Sequence, residues 1–159
     1  MNRVLLICLI IAGLILFPNA AVAQGKGPAS KSQKISKQIK VELMVVNATT
    51  ENKQIDPSLR PMMKYFRNYK FTGFTLLDSQ NAPLKDKTAK TFSVVGGRKV
   101  IISLLSHDVK RAKVQVKVLS AKGKQLLDTK VFINRNGSFI VAGPKNGSGV
   151  LFLPISVKY

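Results

Sequence analysis

Between residues 111 and 119 the chain alternates strictly: Ala112, Val114, Val116 and Val118 fall on one parity, and Arg111, Lys113, Gln115 and Lys117 on the other. Successive side chains of an extended strand point to opposite faces. A period of two therefore marks a strand with one face in a core and the other in water. Most of the chain beyond residue 70 has a related character. Extended runs cover residues 71–77, 88–95, 100–105, 125–133, 138–142 and 150–157. Turn residues separate them: Asn81 and Pro83, Gly96-Gly97, His107-Asp108, Gly123, Asn136-Gly137 and the glycine-rich stretch 143–149. Parallel strands need a crossover of a dozen or more residues, which these short turns cannot supply. Spacings of roughly 8 to 12 residues thus predict antiparallel pairing in a sandwich or barrel. Residues 100–105 are apolar on both parities, the pattern of a central strand buried on both faces.

An earlier β-branched run at residues 41–46 brings the strand count to eight. After it the pattern changes. Asp56-Pro57 reads as an N-cap followed by proline at the first helical position. Leu59, Met62, Met63 and Phe66 then recur at helical spacing, so a short helix is predicted over residues 57–68. Pro61 removes a backbone donor within it and draws the start toward Arg60-Pro61. The expected fold is mainly β, an antiparallel β-sandwich of about eight strands with one short helix packed over an end or edge.

The N-terminus is of another kind. Arg3 precedes an apolar run from residue 4 to 17, Pro18 ends it, and Ala21-Val22-Ala23 forms a small-x-small site. The run is about 14 residues long, within the roughly 7 to 15 of a signal peptide and below the roughly 18 to 20 that cross a bilayer. Residues 1–23 are expected to be a signal peptide cleaved after Ala23, sending the protein by the general secretory route to the periplasm or the exterior. Cys8 lies inside the apolar run, without the small residues that precede a lipidated cysteine, and leaves with the signal. The remainder has no cysteine, hence no disulfide or thiolate nucleophile. Residues 24–39 combine Gly, Ser, Pro and Lys with two large apolar side chains. That is too little to offset the entropy of ordering, so the stretch reads as a flexible basic leader. Residues 40–159, about 120 in number, suffice for one core.

The chain carries 26 basic and 7 acidic residues, a net charge of +19, and loss of Arg3 with the signal lowers it only to +18. Such an imbalance repels itself but draws polyanions over a Debye length of roughly 8 Å. Lysine outnumbers arginine 20 to six, which favours diffuse attraction over bidentate recognition. The expected partner is an anionic envelope polymer or lipid head groups, with Arg111, Lys113 and Lys117 as candidate polyanion-binding residues. Charge that merely keeps an exported protein soluble is the competing explanation, and composition alone does not separate the two. The alternative expectation is an accessory module of a secretion, pilus or surface assembly, binding an envelope protein by adding a strand to an exposed sheet edge. Nucleic acid ranks lower. Single-strand binding wants aromatic rings on the charged face, whereas Tyr65, Tyr69, Phe71 and Phe74 gather at the helix–strand junction, where they suit core packing.

Catalytic chemistry is sparse. His107 adjoins Asp108, but neighbours in a turn project differently and make a poor base–orienter pair, and no serine has a nucleophile-elbow context. One His and one Asp also fall short of the three or four ligands zinc takes. An active site would have to gather Asp78, Asp86, Asp128 and His107 from separate turns. The loop 143–149 is followed by a strand-like run where a phosphate-binding P-loop needs a helix, so it reads as a hairpin. No catalytic, cofactor or metal site is expected.

Asp56-Pro57-x-Leu59, Tyr69 with Leu76-Leu77, Gly96-Gly97-Arg98, Leu127-Asp128-Thr129 and Gly143-Pro144 before Gly149-Val150-Leu151 form a pattern. It resembles that of uncharacterised small exported proteins of Gram-negative bacteria, a resemblance that spans most of the domain and implies no activity. The segment 129–143 is also similar to the strand-Gly-strand hairpins of secretin channels, which implies an accessory role in an envelope assembly.

Overall fold

The computed structural model describes residues 38–159. The expected signal peptide and nearly all of the expected leader lie outside the described residues. Eight strands follow in order: β1 Ile39–Thr49, β2 Gly73–Leu84, β3 Thr88–Val94, β4 Arg98–His107, β5 Arg111–Leu119, β6 Gln125–Asn134, β7 Ser138–Asn146 and β8 Gly149–Lys158. They form two four-stranded sheets, sheet A in the order β2-β1-β8-β7 and sheet B in the order β3-β4-β5-β6. Every strand pairing is antiparallel. This is the expected β-sandwich. Sheet B is a simple meander, its register shifting once between β4 and β5 and once, at Leu126, between β5 and β6. In the β3–β4 turn Gly96 and Gly97 sit at φ 77° and 70°, the left-handed pair that a tight hairpin of matching twist requires.

The main core lies between the sheets. Ile39, Val41, Leu43 and Val45 of β1 and Leu151, Leu153, Ile155 and Val157 of β8 face Val100, Ile102, Leu104 and the Ala112–Val118 row of sheet B. A second core lies on the other side of sheet A. There the 50–72 connection folds Leu59, Met62 and Phe66 onto Val46, Ala48, Phe74 and Phe152. Phe152 is its centre, with ring centroids of Phe66, Tyr69 and Phe71 at 5.7, 4.5 and 5.6 Å in edge-on contacts. Of the four aromatics expected to pack inside, Phe74 is buried and Phe71 half-buried, whereas Tyr69 lies on Phe152 but stays 37 % exposed and Tyr65 is exposed beneath Lys64.

Strands β1 and β8 are therefore the ones buried on both faces. β4 is central in its sheet, but Ile101 and Leu105 on its outer side are only half-buried, because no layer covers sheet B there. β2 serves both cores through a bulge. Its register with β1 shifts between Val45 and Val46, leaving Leu77 unpaired, so the even residues Phe74 and Leu76 face the helical segment while Ala82 and Leu84 face the sandwich. One inserted residue exchanges the faces of a strand.

Several boundaries differ from the sequence reading: His107, read as part of a turn, ends β4, and residues 71–72 lie ahead of β2. Ile39, assigned to the leader, is fully buried at the start of β1. Asn81 and Pro83, read as a turn, are inside β2, where an edge strand tolerates a residue without an N–H. β7 runs past Gly143-Pro144 to Asn146, with a register shift between Ala142 and Lys145 absorbing the proline. The helix is a 3-10 segment, Pro57–Met62, followed by one α-helical turn, Met63–Phe66. Asp56 caps it as expected, accepting the Ser58 N–H at 2.9 Å. The proline inside it lacks the donor that would close an α-helical bond to residue 57.

Replacing Phe152 with alanine empties the centre of the second core and is expected to destabilise the protein by about 3 to 5 kcal/mol in chemical denaturation. Val95→Ala, at a 45 % exposed position, serves as the contrast and should change stability by less than about 0.5 kcal/mol.

Candidate functional site

The alternation that identified β5 also builds its outer surface. Ala112, Val114, Val116 and Val118 enter the core, so Arg111, Lys113, Gln115 and Lys117 must stand on the outside of sheet B. Cross-strand register adds their neighbours. On β6, Phe132 lies opposite Lys113, Lys130 opposite Gln115, and Asp128 opposite Lys117. On β4, Lys99 lies opposite Leu119 and Ile101 opposite Lys117. Lys113, Lys130 and Lys117 thus form a diagonal zigzag with steps of about 7 to 8 Å. The three residues singled out from the sequence share one face. Lys99, Lys130 and Phe132 complete it and were missed, because their strands lack a clean alternation and their place depends on pairing.

Phe132 sits within the cationic group, with the Arg111 guanidinium 4.4 Å and the Lys113 ammonium 5.6 Å from its ring centroid. Both are cation–π distances, worth about 0.5 to 1 kcal/mol at exposed sites. Asp128 is the acid of this face among the described residues. It accepts from Gln115 Nε2 at 2.7 Å and lies 3.4 Å from Lys117 Nζ. The Gln115 hydrogen bond chiefly, and the lysines beside it, hold its carboxyl below the usual value against the opposing effect of desolvation.

Most of the other acids are committed elsewhere. Asp56 caps the helical segment, with its carboxyl held low chiefly by Ser58. Asp78 accepts from Gln80, and Glu42 pairs with Lys158 at 2.9 Å. Asp108 accepts the backbone N–H groups of Lys110 and Arg111 at 2.7 and 2.9 Å in the β4–β5 turn. Those two bonds hold its carboxyl low. Only Lys117 and Lys158 among the lysines pair with a carboxylate among the described residues.

His107 does not turn to Asp108. Its ring bonds Asp86 from the β2–β3 connection, is 4 % exposed, and meets the Tyr159 ring edge-on at 5.4 Å. Asp78 and Asp128 lie on other strands, so the four groups considered for catalysis do not converge. Among the described residues no three His, Cys, Asp or Glu side chains are grouped to hold a metal. No described helix is long and apolar enough to cross a membrane.

The two flanks of the sandwich differ. Where β2 meets β3, Gln80 Nε2 donates to the Ser93 carbonyl at 2.7 Å and links the sheets. Where β6 meets β7 the seam is apolar and open. A cavity of about 290 Å³ lined by Val118, Leu126, Leu127, Val141 and Pro144 adjoins one of about 220 Å³ lined by Leu127, Thr129, Phe139 and Val141. Leu127, Val131 and Phe139 remain half-buried along it.

No family model, curated protein or solved structure matches the chain. The site therefore rests on its own geometry.

The acids give a pH dependence with a definite sign. A carboxylate whose folded pKa is depressed stabilises the fold above its unfolded value, and that contribution disappears as pH falls through the folded value. Asp108→Asn keeps a neutral acceptor and removes the charge. It is expected to be less stable than the original protein at neutral pH, with the gap closing below the ordinary carboxyl value of 3.8. Denaturation midpoints measured from neutral to strongly acidic pH test this, and a gap of constant size would refute it.

Proposed function

We propose that this chain is a non-enzymatic exported β-sandwich that holds an anionic cell-envelope surface through the outer face of sheet B. The observation that carries the reading is the clustering of Arg111, Lys113, Lys117, Lys130 and Lys99 on one uncovered face. Its acid, Asp128, is already bonded to Gln115 and Lys117. The attraction is diffuse, as lysine point charges make it. Phe132, exposed at 55 % among the cations, gives the face an apolar centre of the kind that settles between lipid head groups while long basic side chains reach their phosphates. Lipid head groups therefore fit better than a wholly polar acidic glycan.

A second reading, the accessory module that pairs through a sheet edge, is favoured by the open apolar seam beside β6.

The first reading is tested with vesicles of phosphatidylglycerol against vesicles of phosphatidylcholine. Binding is expected to the anionic vesicles alone and to fall as salt is raised. Each basic side chain near an anionic surface is worth about 1 kcal/mol, so changing Arg111, Lys113 and Lys130 together to Gln should weaken binding about 100-fold. The same change at Lys64 and Lys70, beside the helical segment, should have a far smaller effect. Equal binding to both vesicles, or equal loss from both sets of substitutions, removes the proposal.

A further inference from the structure

The four sheet edges are not defended alike. An edge strand offers unpaired backbone groups to any other strand, and proteins blunt that hazard with bulges, prolines, short length or charges turned toward the core. β2 has the bulge at Leu77, and Pro83. β7 has Pro144 and a register shift beside it. β3 is seven residues long, and Lys90, opposite the buried Ile102, stands on its core-facing side. β6 has only a register shift at its start, where Leu126 is left unpaired. It contains no proline and pairs with β5 in regular register from Asn134 to Leu127. It carries two large exposed apolar side chains, Phe132 at 55 % on the outer face and Leu126 at 45 % beside the open seam.

We infer that β6 is the interface between two copies of this chain, paired antiparallel about a twofold axis through Thr129. The sequence of β6 is self-complementary in this register. Within the regular stretch of β6, Leu127 falls opposite Val131 of the second copy, Asp128 opposite Lys130, and Thr129 opposite itself. The same contacts repeat across the axis, as an isologous interface demands. On the outer face this makes two opposite-charge pairs. On the inner face Leu127 and Val131, half-buried at the open seam, gain cover.

Neighbouring registers fail for definite reasons. A shift of two residues sets Asp128 against Asp128 or Lys130 against Lys130, and like charges directly opposite are destabilising. A shift of one turns the second sandwich over and sets apolar faces against charged ones. The lysine-rich leader, residues 24–37, is chemically unsuited to the apolar seam, which leaves the second copy as its best occupant. The pairing would join two B sheets into one of eight strands. It does not depend on the anionic-surface reading, and its test is run on the protein alone, with no anionic lipid present.

The test is sedimentation of the full chain, expressed with its leader and purified in whatever processed form results, over a range of concentrations. A concentration-dependent dimer is expected. Asp128→Lys and Lys130→Asp each place like charges across the axis twice and should weaken it by about tenfold or more. Mixing the two variants makes both pairs opposite again and should restore a heterodimer. In a Cys8→Ser background, Thr129→Cys should crosslink to itself, since facing residues of antiparallel strands are within disulfide reach, while Lys113→Cys should not. A monomer at every concentration overturns the inference. So does a dimer that ignores both charge reversals, or one in which Thr129→Cys stays reduced.

Discussion

The pairing of β1 with β8 carries the rest of the structure. These two strands lie at the centre of sheet A, face the sandwich core on one side and the second core on the other, and come from opposite ends of the domain. Without them the meander of sheet B would have an apolar face and nothing to cover it. With them the 50–72 connection gains a floor, because Val46, Ala48 and Phe152 present a second apolar surface outward. The cost is that the chain's longest-range contact must form for either core to close. Topologies dominated by such non-local pairing fold slowly, since loop closure precedes its reward.

How far the sequence revealed this depended on whether a signal was local. The Arg111–Leu119 alternation placed β5 and its outer row without ambiguity, and Asp56-Pro57 and Gly96-Gly97 marked their cap and turn because each acts within a few residues. Asn81 and Pro83 misled, since a turn vocabulary is the same whether the chain reverses or runs on as an edge strand. Residues 100–105 misled differently. Apolarity on both parities was read as burial on both faces, whereas Ile101 and Leu105 are covered only in part. The Leu77 bulge left no mark, because its consequence is a change of partner for the same parity of side chains. Lys99, Lys130 and Phe132 joined the basic face only through register with β5, a property of pairs of strands that no single strand encodes.

The distribution of acids explains how so basic a chain keeps its fold. Few carboxylates are placed to neutralise lysines. Asp56 and Asp108 accept backbone N–H groups at a helical start and a turn, and Asp86 holds His107 at the end of β4. These positions shape the chain, and exposed ion pairs in their place would have contributed little. The positive charge is left on strand faces and turns, where lysine stems lie along the sheet and the ammonium groups stay in water. Repulsion between them is screened over roughly 8 Å, about the diagonal spacing of the zigzag on sheet B. The field of that face is therefore tolerated by the fold and not cancelled by it, and a counter-charge must come from solution ions or a bound partner.

The asymmetry of the flanks follows from the same economy of polar groups. On the β2/β3 side the bulge turns Asp78 and Gln80 toward the gap between the sheets, and Gln80 spends its amide on the Ser93 carbonyl. That polar link excludes an apolar edge there. On the β6/β7 side the core-facing residues Leu127, Thr129, Val131, Phe139 and Val141 include no amide or charge, and the polar link from sheet B to β7 comes from β4, where Arg98 donates to the Lys145 carbonyl at 3.1 Å. Apolar side chains close a seam only by contact, and β7 is drawn off its register by Pro144 before it can make that contact along its whole length. The open seam is thus the counterpart of the defended β7 edge. A device that protects one strand from pairing leaves its neighbour β6 with half-buried side chains, and burying them against another strand is the favourable move that remains.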